Sequence, residues 1–439
     1  FRTMRTSFRL VGPRTSESST RITRERRSAL QQALPIEAYE GLFLVAAGDA
    51  ALHDSPHPPI DDYAFLSDCE TTCLMARDGS VEWMCLPRPD SPSVFGAVLD
   101  RSAGRFRLAP HNRSVPAARR YLPGGLVLET TWQTDTGWMV VRDALVMGPW
   151  YDVDERSRTH RRTPSDWQAE HVLLRPVRCV NGTVELDMSC EPAFDYHRCG
   201  AEWRYTGKVY EEATAMRAGA PDEQPQLRLT TNLRIGIEGG EARARTRLDK
   251  GDSVFVALSW SELTPPRTFA DAVAKMTSTQ DFWREWITTG RFPDHPWRTY
   301  LQSSAVILKG LTYAPTGALL AAPTTSLPET PGGERNWDYR YAWVRDSTFA
   351  LWGLYTLGLD READDFFAFI ADAVVTVGVS LATRPKPDHE LRGLVWGLTE
   401  TEDVSAEQDP AERVWWRRPA VLGAIALALT ALLYLVFVF

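Results

Sequence analysis

The stretch Pro331–Tyr355, PGGERNWDYRYAWVRDSTFALWGLY, decides how this chain is read. It places seven aromatic rings and the arginines Arg335, Arg340 and Arg345 in a short span. A buried helix built only for packing would use Leu, Ala and Val instead. Upstream, short runs such as GSVEWMCLP, GRFRLAP, GLVLETTWQT, GWMVVRDALVM, QLRLTTNLRIGIEG and DSVFVALSW are β-branched and aromatic, split by Gly, Pro and Asp. That is the pattern of strands and hairpins, and many of them together predict a β-sandwich. Near Pro266 the period changes to that of helices. Thr268 and Gly290 bracket one helix, a connector. A second is expected over Pro296–Tyr313 and a third over Val344–Leu359, followed by a fourth through READDFFAFIADAV. A β half followed by an α half argues for separate domains.

Bulk numbers bound the rest. The chain has 439 residues, net charge −8, 44% hydrophobic and 24% charged residues, those of an ordinary globular protein. Nothing in that charge suggests a nucleic-acid partner. Sixteen Trp is a high count, compatible with carbohydrate contact and with simple core filling. The six cysteines (Cys69, Cys73, Cys85, Cys179, Cys190 and Cys199) form no C-x-x-C pair, so buried thiols are expected and no metal site is assigned. Residues 1–57 read as a disordered leader and loop, with a short helix over 34–53. Residues 375–418 read as a polar linker. Pro419–Phe439 is 21 residues without a charge, preceded by Trp415, Trp416, Arg417 and Arg418. Its length and flanks predict a transmembrane helix, and hence a cytoplasmic body held at a membrane if the tail is genuine, and otherwise a cytoplasmic protein.

Within the opening stretch, Tyr339, Trp343, Arg345 and Asp346 combine what a pyranose requires. Flat rings pack on its C–H faces, and charged side chains grip its hydroxyls. Spacing alone fits equally well an ion pair that stabilises the entry of a helix.

The segments PPIDDYAFLSDCETTCLMARDGSVEWMCLPRPDSPSVFGAVLD, ARRYLPGGLVLETTW, TGALLAAPTTSLPETPGGERNWDYRYAWVRDSTFALWGLYTLG and EADDFFAFIAD resemble glycoside hydrolase family 15, in its bacterial trehalase-like, glucoamylase-related branch, over about residues 58–374. The resemblance implies a β-super-sandwich followed by an (α/α)6 barrel. The resulting division is an N-terminal domain over 58–265, a linker helix over 266–295 and an incomplete barrel over 296–374. It also implies inverting hydrolysis of α,α-trehalose to glucose, or of another α-glucoside such as an α-1,4 linkage. By the family's Y-x-x-x-W-x-R-D pattern, Tyr339, Trp343, Arg345 and Asp346 become the floor for the non-reducing glucosyl unit. Inversion needs one carboxylic acid and one carboxylate. The family's two glutamates lie further downstream, and Glu329, Glu334, Asp338 and Asp346 do not match them. No catalytic residue is therefore assigned, and this chain is expected to be inactive or a non-catalytic, membrane-tethered binding remnant. Phosphate and magnesium are cofactors the resemblance allows, with no residue to hold them. The last 50 or so residues resemble the end of a sodium:solute symporter.

Overall fold

A computed structural model describes residues 57–149, 167–207, 209–219, 226–261, 265–326 and 336–382. The expected helix over 34–53, the linker beyond Ala382, the symporter-like tail and the span Pro419–Phe439 lie outside the described residues, as do Glu329 and Glu334. The chain divides at Pro58/Pro59 into two units, and every described strand and helix belongs to the second.

Its first half is a fifteen-stranded antiparallel array. The organising element is the strand Trp167–Glu191, 25 residues long. Its first part pairs with Ser253–Ser259, and its last part pairs with Glu241–Asp249 on one side and Arg105–Pro110 on the other. One strand thus runs through both sets of paired strands, and a single apolar cluster lies between them. Val81, Phe106 and Met188 from one set meet Leu145, Leu229 and Val256 from the other in that cluster. The β-rich first half expected from the sequence is present as this large antiparallel sheet. The sequence pattern predicts only the downstream part of the long strand, TVELDMSCE. The upstream part carries Arg175 and Pro176, residue types uncommon inside a sheet. Arg175 is wholly buried, yet every arm is used. Nε donates to Asp143 Oδ1 at 2.7 Å, and the two terminal nitrogens donate to the carbonyls of Phe106 (3.0 Å) and Gly79 (2.7 Å). A buried charge so fully paired becomes a rivet between strands.

Four helices follow. Helix α1, Phe269–Thr289, begins and ends where the sequence predicts, because its start is local chemistry. Thr268 Oγ1 accepts from the Asp271 amide and Asp271 Oδ2 accepts from the Thr268 amide, both at 3.1 Å, a reciprocal cap. Its buried face sets Phe282, Trp283 and Ile287 into a second apolar cluster with Phe65, Leu126 and Leu354. Helix α2 covers Arg298–Gly310, shorter than expected. Thr312–Tyr313 leave it to form a small hairpin with Ala318–Leu319. Gly317 at the hairpin tip has φ +79°, and a Cβ there would meet the Asp365 carbonyl at 2.5 Å, so only glycine lets the tip press on the next helix. Helix α3 is Val344–Thr356 and helix α4 is Asp360–Ala382. α4 runs past Val374, the expected edge of the helical segment, because VVTVGVSLA contains no proline to stop it. These helices stand as the opening members of a helical layer, and a closed barrel is not formed by the described residues. No described helix is long and apolar enough to cross a membrane.

Candidate active site: an aromatic floor at the start of a helix

The floor is built on the β half. Trp83, fully buried, donates its indole N–H to the Pro323 carbonyl at 2.7 Å and so anchors the loop Ala321–Ser326. That loop carries the motif segment beside it. Ala322 N donates to Tyr339 O (2.8 Å), Ala321 N donates to Tyr341 O (3.2 Å), and Thr325 bridges Asp338. Strand-like pairing of this kind fixes alternate side chains to opposite sides.

On one side lies Arg340, which sequence reasoning misses. It is 4% exposed and makes a fork to Asp338, with Nε to Oδ1 at 3.0 Å and a terminal nitrogen to Oδ2 at 2.7 Å. The same terminal nitrogen also donates to the Tyr196 hydroxyl (2.8 Å), and the other donates to Ser91 O (2.6 Å) and Pro89 O (3.3 Å). Burial works against its charge, but the Asp338 hydrogen bonds prevail and push the guanidinium pKa upward. Burial likewise tends to raise Asp338, and the Arg340 hydrogen bonds and charge overcome it, holding that carboxyl below its ordinary range. Tyr196 reaches Arg340 from a turn in which Asp195, Tyr196 and His197 have φ of 53°, 55° and 70°. Three successive non-glycine residues in the left-handed region cost of order 1 kcal/mol each or more, so the surroundings must hold them there.

The predicted site residues come together as two pairs. Tyr339 and Trp343 stack, centroids 5.2 Å apart at 24°, and Trp337 meets Trp343 edge-on at 5.8 Å and 87°. The Trp343 indole N–H donates to Asp338 O at 3.0 Å, which fixes the plane of the stack. Trp343 is the N-cap of α3, so Arg345 and Asp346 fall in its first turn. Arg345 pairs with Asp346, nitrogen to oxygen 3.1 Å, with Arg345's side chain 67% exposed. An acidic group in a first turn is favoured by the exposed amides and the helix dipole. The result is two parallel rings with one polar edge and, at the adjoining helix start, an accessible ion pair. The carboxylates nearest the rings are each engaged by an arginine: Asp338 by Arg340 and Asp346 by Arg345. No group of three or more His, Cys, Asp or Glu among the described residues is arranged to hold a metal ion.

Comparison with known proteins finds two family matches. Residues 50–145 match the family described as Trehalase-like, N-terminal, and residues 296–382 match Glycosyl hydrolases family 15. The resemblance to glycoside hydrolase family 15 carried by the sequence motif is thus matched by two family models, one on each side of the β–α connection. The chain is similar to trehalases. It is 75% identical over 318 residues to a trehalase of Mycolicibacterium smegmatis, covering 72% of this chain and 48% of that protein. It is 74% identical over 318 residues to a trehalase of Mycobacterium tuberculosis, covering 72% and 47%. A trehalase of Thermoplasma acidophilum is 28% identical over 310 residues, covering 69% and 48%. The chain thus spans about half the length of the curated relatives it matches. A solved bacterial glucoamylase complexed with acarbose aligns with TM-score 0.43 at 12% identity, covering 71% of this chain and 50% of that one.

Proposed function

We propose that this chain carries the glucosyl-holding part of a trehalose hydrolase, and that it grips the sugar without cleaving it. The observation that carries the reading is the Tyr339–Trp343 stack set beside the exposed Arg345–Asp346 pair on the first turn of α3. The rings offer an apolar platform for one pyranose face, and the ion pair offers donors and acceptors for hydroxyls at its edge. The similarity to trehalases on both sides of the β–α connection favours α,α-trehalose over an α-1,4-glucoside as the natural ligand. Inverting hydrolysis requires a free acid and a water-activating carboxylate on opposite faces of the scissile bond. Asp338 and Asp346 are each committed to an arginine, which supports binding without turnover for this chain by itself. The uncharged run Pro419–Phe439 would hold such a protein at a membrane, and its removal is expected to shift the protein from the membrane to the supernatant fraction.

Calorimetric titration with trehalose tests the reading. Saturable binding, weak in the millimolar range, is expected for the intact chain and is lost in Arg345→Ala while the β-sheet circular dichroism is retained. Unaltered binding in Arg345→Ala shows that the floor lies elsewhere.

A further inference from the structure

A second site lies away from the floor and shares none of its residues. A cavity of about 420 Å³ is enclosed between the start of the β half, α1, the hairpin after α2 and α4. Its walls carry six carboxylates (Asp68, Glu70, Glu285, Glu362, Asp365 and Asp372) against two cationic groups, Lys309 and Arg361. It also has an aromatic side, including Phe282, Trp286 and Phe369.

An acidic lining by itself is only a solvated surface. Asp68 makes this one different. It is wholly buried. Its Oδ1 is occupied by the amides of Glu70 (3.0 Å) and Thr71 (2.6 Å), whereas its Oδ2, equally buried, has no hydrogen-bond partner. Burial pushes its pKa up to about 6, against the pull of nearby His171, so at neutral pH it still carries its charge. A buried ionised oxygen without a donor is costly. The neighbouring carboxylates already have donors. Glu362 takes the Trp286 indole N–H at 2.7 Å and the Lys309 ammonium at 3.0 Å, Glu285 takes the Trp167 indole N–H at 3.0 Å, and Glu70 faces His171 at 3.2 Å. The same wall shows how it treats a cation, since Lys309 Nζ sits 6.0 Å from the Trp286 ring centre, within cation–π range.

We propose that this cavity binds a small organic cation, an amine or a guanidinium, donating to Asp68 and lying against the aromatic wall. The charge imbalance selects for positive ligands. The volume suits a molecule the size of an amino acid. The lining is also short of the clustered ligands a metal ion would demand, since the described residues contain no metal-holding group of three.

The test is calorimetry on the full chain at low ionic strength, with argininamide as the probe and glutamate as the anionic control. Saturable argininamide binding and no glutamate binding are expected. Asp68→Asn is expected to weaken the affinity at least tenfold, and Glu285→Gln, at the more exposed rim, a few-fold. Added salt should weaken it as well. Trp343→Ala should leave it unchanged, which separates this site from the sugar floor. Absence of saturable argininamide binding overturns the proposal, as does an affinity that Asp68→Asn leaves intact. Both results are independent of whether the floor binds trehalose.

Discussion

The β half and the helical half treat their aromatic residues in opposite ways. In the sandwich, Trp83, Phe95, Phe106 and Trp132 are at most 1% exposed, and the last three belong to the apolar cluster between the two sets of strands. Along the helices, Trp297, Tyr300, Phe349, Trp352 and Tyr355 are 65–70% exposed, and Val374, Val375, Val377 and Val379 of α4 are more than half exposed. Composition does not separate the two halves. Closure does. A sheet that folds over on itself buries both inner faces, whereas a few members of a helical layer bury only the side turned to their scaffold. Exposed apolar surface forgoes about 25 cal/mol per Å² of stabilisation. The aromatic floor proposed to hold the sugar sits on this boundary, clamped to the closed half through Trp83, Ser91 and Tyr196 and open on the side of α3.

Replacing aromatic residues in the two halves gives the largest expected contrast. Phe106→Ala in the sandwich should cost about 4 kcal/mol in urea unfolding. Phe349→Ala on α3 should stay within about 0.5 kcal/mol and reduce self-association. Equal costs would erase the distinction. Next comes the clamp. Arg340→Ala strands Asp338 and the Tyr196 hydroxyl, and should cost about 3 kcal/mol. It should also weaken the near-ultraviolet signal of the Tyr339–Trp343 stack, which a purely local loss would leave alone.

A pH titration sharpens the comparison through two carboxylates of opposite sign. Asp68 is pushed up from 3.8 to about 6 by burial, so its protonated form is the one the fold prefers. Its contribution is fully present below pH 4 and is lost as the pH rises to about 6, an effect on the order of 3 kcal/mol. Asp68→Asn should flatten that part of the stability curve. Asp338 is held low by Arg340, so its contribution is present at neutral pH and is lost as the pH falls below the ordinary carboxylate range. Smallest is Tyr196→Phe, which removes one hydrogen bond to Arg340 and should cost about 1 kcal/mol. A zero cost would mean that the left-handed turn Asp195–His197 is held by something other than this bond.

Legibility in the sequence follows the range of the interactions. The Thr268 cap and the Gly290 stop of α1 are made by residues within a turn of one another, and they are legible. So is the Arg345–Asp346 pair, adjacent in the chain. The upstream half of the strand Trp167–Glu191 is not, because Arg175 and Pro176 are uncommon inside a sheet and the guanidinium's partners Asp143, Phe106 and Gly79 are distant in the chain. Arg340 is hidden for the same reason. Its partners Tyr196, Pro89 and Ser91 are more than 140 residues away, and only the Asp338-x-Arg340 spacing hints at a fork. The end of α4 is misplaced by reading a change of texture at Val374 as a boundary, although the next helix breaker in the sequence is Pro385.

The most direct measurement follows glucose release and trehalose binding together on the purified full chain, with Arg345→Ala beside it. Saturable binding that disappears in the variant, with no glucose formed above the uncatalysed background, is the predicted result. Glucose released from trehalose at an enzyme-like rate would contradict it, since a working acid and base would then have to stand among residues given no such role.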